Sequence, residues 1–296
     1  MIGRNRWLGV CVAVVVVGAS GSAALADEPA SKPFNIGVDY TITSDYIWRG
    51  INLSEPAGER GDVPNHQLNV WLEIPTDRFG TFSASVWFVW YAGQTLITPT
   101  EDTKLQEVDY ILSWAYALKP IDTTVTLGWI AYTFPPFAGD AHTTYELFVK
   151  LEYDDSKLWG TEGPVLSPYF YYGIDLDLAE HASWMEFGIS HEFALADCEA
   201  LENTALKHMT ITPALVLGID HRYLDKFAGV SGVSPSTRLA FINYGVSVGY
   251  DISAALGIPE KYGSVSMSGF LNFSQALNQT LLNDEFYGGA TVSYAW

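Results

Sequence analysis

The sequence predicts an all-β protein: a single antiparallel transmembrane β-barrel of about 12 strands, an even number as in bacterial barrels. Long stretches alternate apolar and polar residues, as strands do when their two faces meet different surroundings. The apolar faces are nearly free of charge and rich in aromatic residues, which is typical of a wall that contacts lipid. Beyond the N-terminal region, no stretch reaches the roughly 18 apolar residues that predict a membrane-spanning helix.

The first strand is predicted at Phe34–Gly50, where only Ser44 and Ile47 break the alternation. Strands in globular proteins are most often about 5–6 residues long, so this length favours a barrel wall. The polar face of the strand carries charges of both signs, including Asp39 and Arg49. The face predicted to contact lipid comprises Phe34, Ile36, Val38, Tyr40, Ile42, Tyr46 and Trp48.

The same alternation recurs along the chain, interrupted by turn signals such as Pro75–Gly80 and Lys119–Asp122. With the N-terminus in the periplasm, these turns are periplasmic, and Ile51–Asn65, Ala92–Leu105 and Leu224–Thr237 become external loops. The further strands are predicted at His66–Ile74, Thr81–Tyr91, Gln106–Leu118, Thr123–Phe134, Thr143–Tyr153, Leu166–Asp177, Ser183–Phe193, Met209–Tyr223, Arg238–Ile252, Ser264–Ser274 and Phe286–Trp296. The predicted periplasmic connections that are unusually long are Asp154–Val165, Ala194–His208 and Ser253–Gly263.

Charge is nearly absent from the predicted lipid faces, where the exceptions are Arg238 at the outer rim, His191 and His221. A Lys or Arg at the bilayer midplane of a barrel costs roughly 2–4 kcal/mol, so lipid contact explains this pattern. The alternative, a secreted soluble β protein, has no such constraint. The aromatic residues predicted to form girdles at the two membrane interfaces are Trp48, Trp90, Tyr116, Tyr153, Tyr250, Tyr294 and Trp296.

The N-terminus has the features of a secretory signal peptide: Arg4 and Arg6, then an apolar run, then Ala24-Leu25-Ala26. We therefore predict a cleaved leader at residues 1–26 and a barrel at residues 27–296. Cleavage removes two of the 15 basic residues and none of the 34 acidic ones, so the net charge falls from −19 to −21. This charge argues against nucleic acid as a partner.

The inward faces collect many more acids than bases. Rings of carboxylates attract cations, so this excess predicts a narrow channel for small solutes or ions that prefers cations. The alternative is a lumen filled by side chains and salt bridges, which would leave the barrel a structural or anchoring role. The candidate pore-lining residues are Asp39, Asp45, Arg49, Glu73, Asp109, Glu146, Lys150, Glu152, Asp175, Glu186, Asp220, Arg222 and Asp251.

Two short segments resemble known outer-membrane proteins. The C-terminal residues Val292, Tyr294 and Trp296 resemble the signal by which the barrel assembly machinery recognises its substrates. The segment Ser44–Ile51, with the sequence SDYIWRGI, resembles the first-strand motif of the TorF-like family of putative porins. The resemblance implies a barrel in the outer membrane of a Gram-negative-type bacterium, with its lipids as surroundings, and implies a channel.

An enzymatic alternative comes from outer-membrane phospholipases, which are also twelve-stranded and carry a Ser and a His on the lipid face. Here His181 and Ser183 fall on one face, and a hydroxyl beside a base is the minimum for nucleophilic catalysis. The next residue is Trp184 instead of the Asn of those enzymes, and no third group is evident. No His or Cys cluster has metal-ligand spacing, so the sequence predicts no catalytic residues, metal or cofactor.

Overall fold

The barrel predicted from the alternation is confirmed by the computed structural model, which describes residues 4–5, 33–54, 63–76, 78–93, 105–135, 143–227, 237–279 and 282–296. Within these residues, twelve antiparallel strands each pair with the next in chain order, and the last pairs with the first, which closes the ring. The wall strands are β1 (Asn35–Thr43), β2 (Asn65–Thr76), β3 (Gly80–Tyr91), β4 (Leu105–Leu118), β5 (Thr123–Thr133), β6 (Thr143–Tyr153), β7 (Tyr169–Asp175), β8 (Ser183–Ser190), β9 (Met209–His221), β10 (Thr237–Asp251), β11 (Ser264–Ala276) and β12 (Glu285–Ala295).

Short elements connect the strands. The α-helices are α1 (Ser156–Trp159), α2 (Tyr223–Phe227) and α3 (Ile252–Leu256). The 3₁₀ helices are Lys119–Ile121, Leu195–Asp197, Glu199–Leu201, Ala205–His208 and Glu260–Tyr262. A two-residue strand, Phe193–Ala194, extends the pairing of β9. None of the helices in the described part of the chain has the length and apolar character to cross a membrane.

The outer surface of the wall is apolar and exposed. Exposing apolar surface to water costs roughly 25 cal/mol per Å². A wall with this many exposed apolar side chains therefore requires lipid around it. The exposed apolar residues on the outward faces include Ile36, Tyr40, Ile42, Val70, Ile74, Phe82, Tyr110, Leu112, Tyr116, Leu127, Leu147, Leu151, Phe187, Ile189, Leu215, Tyr244, Val246, Val248, Met267, Leu271, Phe273, Val292, Tyr294 and Trp296.

Arg238 does not point to lipid, so this detail of the sequence prediction is wrong. A bulge at Ala240 of β10 shifts the pairing of β9 with β10 and places Arg238 opposite Asp220. There the guanidinium makes ion pairs with Asp220 at 2.9 Å and with Asp225. The alternation of β10, read without the bulge, assigns Arg238 to the opposite face.

The first wall strand ends at Thr43, and the chain then turns into the barrel. Residues 44–54, which we call the luminal hairpin, are interior, and their strand Ile47–Asn52 is buried at every position. The prediction of one strand from Phe34 to Gly50 is therefore wrong in its second half. The short strand Arg4–Asn5 pairs with the hairpin, but it belongs to the predicted leader, so a processed chain would lack this neighbour.

The two ends of the barrel differ. We call the end that receives the luminal hairpin the outer end, and the end where β1 begins the inner end. The three long connections predicted at Asp154–Val165, Ala194–His208 and Ser253–Gly263 all lie at the inner end, as the antiparallel order requires. In the structure they span residues 154–168, 191–208 and 252–263. They contain α1, α3 and most of the 3₁₀ turns, so these connections are compactly folded.

Candidate functional site

The luminal hairpin reverses direction at Arg49 and Gly50. Both residues have positive φ, 51° for Arg49 and 84° for Gly50, as the central residues of a type I′ turn do. The hairpin closes through a hydrogen bond from the Leu53 amide to the Tyr46 carbonyl at 2.7 Å. A Cβ added to Gly50 would lie 2.5 Å from Leu282 Cδ1, so glycine is needed here for its backbone and for its lack of a side chain.

Polar groups fix the base of the hairpin. The buried carboxylate of Asp45 accepts hydrogen bonds from Ser44 Oγ at 2.6 Å and from Asn52 Nδ2 at 3.0 Å. Asn52 Oδ1 accepts from the amide and hydroxyl of Ser54, whose Oγ in turn accepts from the Tyr46 amide at 2.6 Å. Buried polar groups satisfied in this way hold one conformation, because losing any partner leaves another group unpaired.

The tip of the hairpin carries a buried charge. Arg49 Nη2 lies 2.8 Å from Glu146 Oε2 and 2.9 Å from Glu146 Oε1, and both side chains are almost completely buried. The guanidinium carbon lies 5.1 Å, 5.5 Å and 4.5 Å from the ring centres of Trp48, Trp184 and Tyr223. Arg49 thus ties the hairpin to the opposite wall by an ion pair inside a cage of aromatic rings.

Aromatic packing continues from the hairpin to strands around the ring. Tyr46 packs on Trp87 of β3 with ring centres 5.6 Å apart, and Trp48 packs on Tyr132 of β5 at 5.8 Å. Together with the Arg49 contact to β6 and the Gly50 contact to Leu282, these contacts reach walls on several sides of the lumen. The outer half of the lumen is therefore a packed core, whose buried members also include Val89, Tyr91, Ile130, Val216, Leu224, Ala240 and Phe241.

Three of the acids predicted to line the pore accept hydrogen bonds from backbone amides of the connections that follow their strands. Asp175 accepts from the amides of Asp177 and Ala179, both at 2.9 Å, and from the Thr144 hydroxyl. Asp220 accepts from the first amides of α2, and Asp251 accepts from the third residue of α3 at its exposed end. Arg222, also predicted to line the pore, follows β9 with a φ of 64° and is partly exposed.

The inner half of the lumen is lined differently. Its inward side chains are mostly short and polar, and most are partly exposed, which indicates space that solvent can enter from the inner end. The cross-strand register places these residues on the inward face. The partly exposed small residues of this region include Ser83, Ser85, Ser113, Thr124, Thr126, Ser190, Ser247, Gly249, Ser266 and Ser268.

The remaining predicted pore residues divide between these two regions. Asp45, Arg49, Asp109 and Glu146 are buried in the outer half. The inner half contains four acids and one base: Asp39, Glu73, Lys150, Glu152 and Glu186. Asp39 accepts from Asn69 and from the Trp71 indole, Glu186 accepts from the Trp184 indole at 2.7 Å, and Lys150 Nζ lies 2.7 Å from Glu152 Oε1.

The sequence prediction missed the hairpin and its packing partners. Tyr46 and Trp48, predicted to contact lipid, are buried in the lumen, and Trp48 is not part of an outer girdle. Two signals in the sequence pointed there: the alternation breaks at Ser44 and Ile47, and a Gly follows Arg49, a pattern that suits a tight turn. By contrast, Tyr116, Tyr294 and Trp296 are exposed on the outward face as predicted.

The two residues behind the enzymatic alternative have different surroundings. His181 Nε2 lies 3.4 Å from Glu180 Oε1 on an exposed loop, whereas Ser183 is buried. Among the described residues, no group of three or more His, Cys, Asp or Glu side chains is placed to hold a metal ion.

Comparison with known proteins gives only distant similarities. No family model matches the sequence, and no curated protein matches it either. The resemblance of Ser44–Ile51 to the TorF-like family therefore stays a prediction.

Several solved barrels resemble the chain in structure. The KdgM porin has a TM-score of 0.46 and 11% identity over 87% of this chain and 98% of its own. An outer membrane channel from Pseudomonas putida F1 has a TM-score of 0.48 and 11% identity, over 92% of this chain and all of its own. The translocator domain of autotransporter NalP from Neisseria meningitidis has a TM-score of 0.49 and 8% identity, over 97% and 94%. Similarity at this level carries no argument about solutes or partners.

Proposed function

We propose that the protein is a porin-like channel of the outer membrane and that the conformation described here is its closed state. The observation that carries this proposal is that the wall closes without the luminal hairpin. β1 pairs with β2 on one side and with β12 on the other, so the hairpin is an insert and not a wall strand. It can leave the lumen without breaking the ladder of hydrogen bonds that keeps the barrel intact in lipid.

The inner half of the lumen supports a preference for small cationic or neutral solutes. Four carboxylates and one ammonium group lie among small polar residues that solvent reaches. Fixed charge of one sign in a narrow, water-filled passage raises the local concentration of ions of the opposite sign. A twelve-stranded barrel is narrower than the 16–18-stranded porins, so the passage suits small solutes.

Single-channel recording tests the proposal. The leader-free protein and a variant in which Tyr46–Leu53 is replaced by a short Gly-Ser linker are inserted into planar bilayers under a salt gradient. We expect rare or small steps from the wild type and larger, steady steps from the variant, with a cation-selective reversal potential. Anion selectivity would contradict the cation preference, and steady wild-type steps as large as those of the variant would contradict the closed state.

A permanently plugged barrel with an anchoring role is the second candidate. The buried contact of Arg49 with Glu146 favours it, because separating a buried ion pair is costly. The same recording separates the two candidates. A hairpin-less variant that is folded and inserted yet silent would show that the inner half does not conduct either, and would favour the anchor.

A further inference from the structure

Two carboxyl groups lie behind the hairpin with no base among the described residues to neutralise them. Glu107 and Asp109 are two positions apart on the inward face of β4, and their side chains are 3% and 0% exposed. Arg49 is the buried base in this part of the described chain, and it is already paired with Glu146. Neither oxygen of Asp109 has a hydrogen-bond donor among the described residues.

The two acids contact each other and the hairpin. Their carboxyl groups are within hydrogen-bond reach of one another, and Glu107 Oε2 accepts from the Tyr46 hydroxyl at 2.7 Å. Burial, with Glu107 and Asp109 nearby, raises the pKa of the Tyr46 phenol well above its ordinary value, so this phenol keeps its proton and remains a donor.

The described neighbours of the pair are aromatic side chains and a further acid. Trp87 of β3 and Tyr132 of β5 lie opposite Asp109 across the ladder, and Tyr91 of β3 lies near Tyr46. Another acid, Glu146 of β6, is close enough to repel a charge on Asp109. Two adjacent carboxylates in such surroundings repel each other and are poorly solvated, so both do not ionise together. Both oxygens of Asp109 are buried and have no hydrogen-bond partner in the described part of the chain. A proton held between the two carboxyl groups removes one charge and supplies the missing hydrogen bond.

We propose that Glu107 and Asp109 form a buried proton-binding site that keeps the luminal hairpin packed. One proton is shared between the two carboxyl groups while the hairpin is in place. When that proton passes to water, two carboxylates remain, and their repulsion and need for solvent favour release of Tyr46 and the hairpin. The link to channel opening rests on the proposed function, whereas the link between proton and hairpin does not.

Thiol labelling tests the site without measuring conductance. Ile47, fully buried in the hairpin, is changed to Cys in a Cys198→Ser background, and the folded protein is labelled with a charged methanethiosulfonate between pH 5.5 and 9. The rate is divided by that of the native exposed Cys198 in a separate sample, which removes the pH dependence of thiol reactivity itself. If release of the hairpin is linked to the loss of one proton, the relative labelling rate should rise with pH by up to about tenfold per pH unit.

Substitutions of the two acids test whether they are the source of the pH dependence of labelling. Asp109→Asn supplies a neutral amide that donates to Glu107 at every pH, so the relative rate should stay low and flat. Glu107→Gln is expected to behave the same way, and it keeps the test informative should the first variant fail to fold by circular dichroism. Glu162→Gln, which changes an exposed carboxyl on the inner connection after β6, should retain the wild-type rise. A flat wild-type profile, or the same rise in Asp109→Asn or Glu107→Gln, would overturn the proposal.

Discussion

The outer and inner halves of the lumen share one wall but differ in how closely their contents are packed. In the outer half, aromatic rings, an ion pair and buried polar groups surround the hairpin at nearly complete burial. In the inner half, short polar side chains and several acids are partly exposed. The wall strands alternate in the same way in both halves, but in the outer half the eleven residues 44–54 fold inward after β1 and pack on large inward rings of the wall.

This difference shows that closure of the barrel and closure of the lumen are separate properties. The ladder of wall strands makes the barrel stable in lipid, and the hairpin fills the space between large inward side chains of the wall such as Trp87, Tyr132 and Trp184. Perturbations of the hairpin should therefore change access to the lumen and leave the wall intact, whereas equivalent changes in the inner half should change neither.

Arg49→Ala should have the largest effect, because it leaves Glu146 as a buried charge without its partner and removes the contacts with three rings. Breaking a buried ion pair in this way costs about 3–5 kcal/mol, enough to release the hairpin. Chymotrypsin should then cut the folded protein after Tyr46 or Trp48, which mass spectrometry of the fragments detects. The matched control Arg78→Ala, at an exposed inner turn, should stay uncut there, as should the wild type. Continued protection of Arg49→Ala would show that packing alone holds the hairpin.

Gly50→Ala and Gly160→Ala compare one strained backbone position in two settings. Both glycines have positive φ, but a Cβ at Gly50 meets Leu282, whereas at Gly160 it meets nothing within 4 Å. Gly160→Ala should cost about 1 kcal/mol from backbone strain alone. Gly50→Ala should cost about 1–3 kcal/mol more, from overpacking.

Urea unfolding in lipid vesicles measures the difference between these glycine variants. Adding Leu282→Ala to Gly50→Ala should recover part of the excess cost, because it removes the atoms that the new Cβ meets. Equal costs at Gly50 and Gly160 would contradict the close packing of the hairpin tip.

Thr144→Val and Thr126→Val compare two inward threonines, one in each half. Thr144 donates to Asp175 and accepts from the Leu178 amide in the buried outer half, so its loss should cost about 1–3 kcal/mol. Thr126 is partly exposed in the inner half, and its replacement should change stability by less than about 0.5 kcal/mol. Vesicle unfolding measures both, and equal costs would remove the contrast between the halves.

Lowering the pH should loosen the inner connection that contains α1, and this effect should be smaller than those of the substitutions above. Burial alone would raise the pKa of Asp155, but hydrogen bonds from the Leu166 amide, the Trp159 indole and the Val165 amide hold it below its ordinary value. A carboxyl with a lowered pKa contributes stability above about pH 4, and this contribution is lost as pH falls through the folded-state value.

Hydrogen exchange measures this acid effect. Protection of the Val165 and Leu166 amides, corrected for intrinsic rates, should drop between pH 6 and pH 3. Asp155→Asn should show low protection at both pH values. A pH-independent wild type would show that the carboxylate does not hold this connection.

The sequence predicts the wall well because the wall is set by a local pattern. Alternation places the side chains of β6 and β11 on the correct faces, since lipid on one side excludes charge along the whole strand. The same reasoning fails where the surroundings change along one stretch. Tyr46 and Trp48 continue the alternation of β1, yet they pack inside, because the aromatic rings that receive them come from strands distant in the chain.

The candidate site is less predictable than the wall for a similar reason. Alternation places Asp175 and Asp220 on inward faces. The hydrogen bonds that these carboxylates accept from backbone amides of the following segments depend on how the chain turns after each strand. A bulge at Ala240 of β10 moves Arg238 to the inward side, and no local pattern marks it. The ion pair of Arg49 with Glu146 joins residues 97 positions apart, which the sequence does not specify.

Thiol accessibility along β3 tests the division of the lumen most directly. Val89 and Ser85 are both inward on this strand, but Val89 lies in the packed outer half and Ser85 in the partly exposed inner half. Each is changed to Cys in a Cys198→Ser background and labelled in the folded protein with a small, charged thiol reagent. We predict rapid labelling at position 85 and labelling at least about tenfold slower at position 89, because the latter requires the hairpin to open. Equal rapid labelling would show an open lumen, and equal protection would show a lumen packed throughout. Either result would contradict the division into a packed outer half and an accessible inner half.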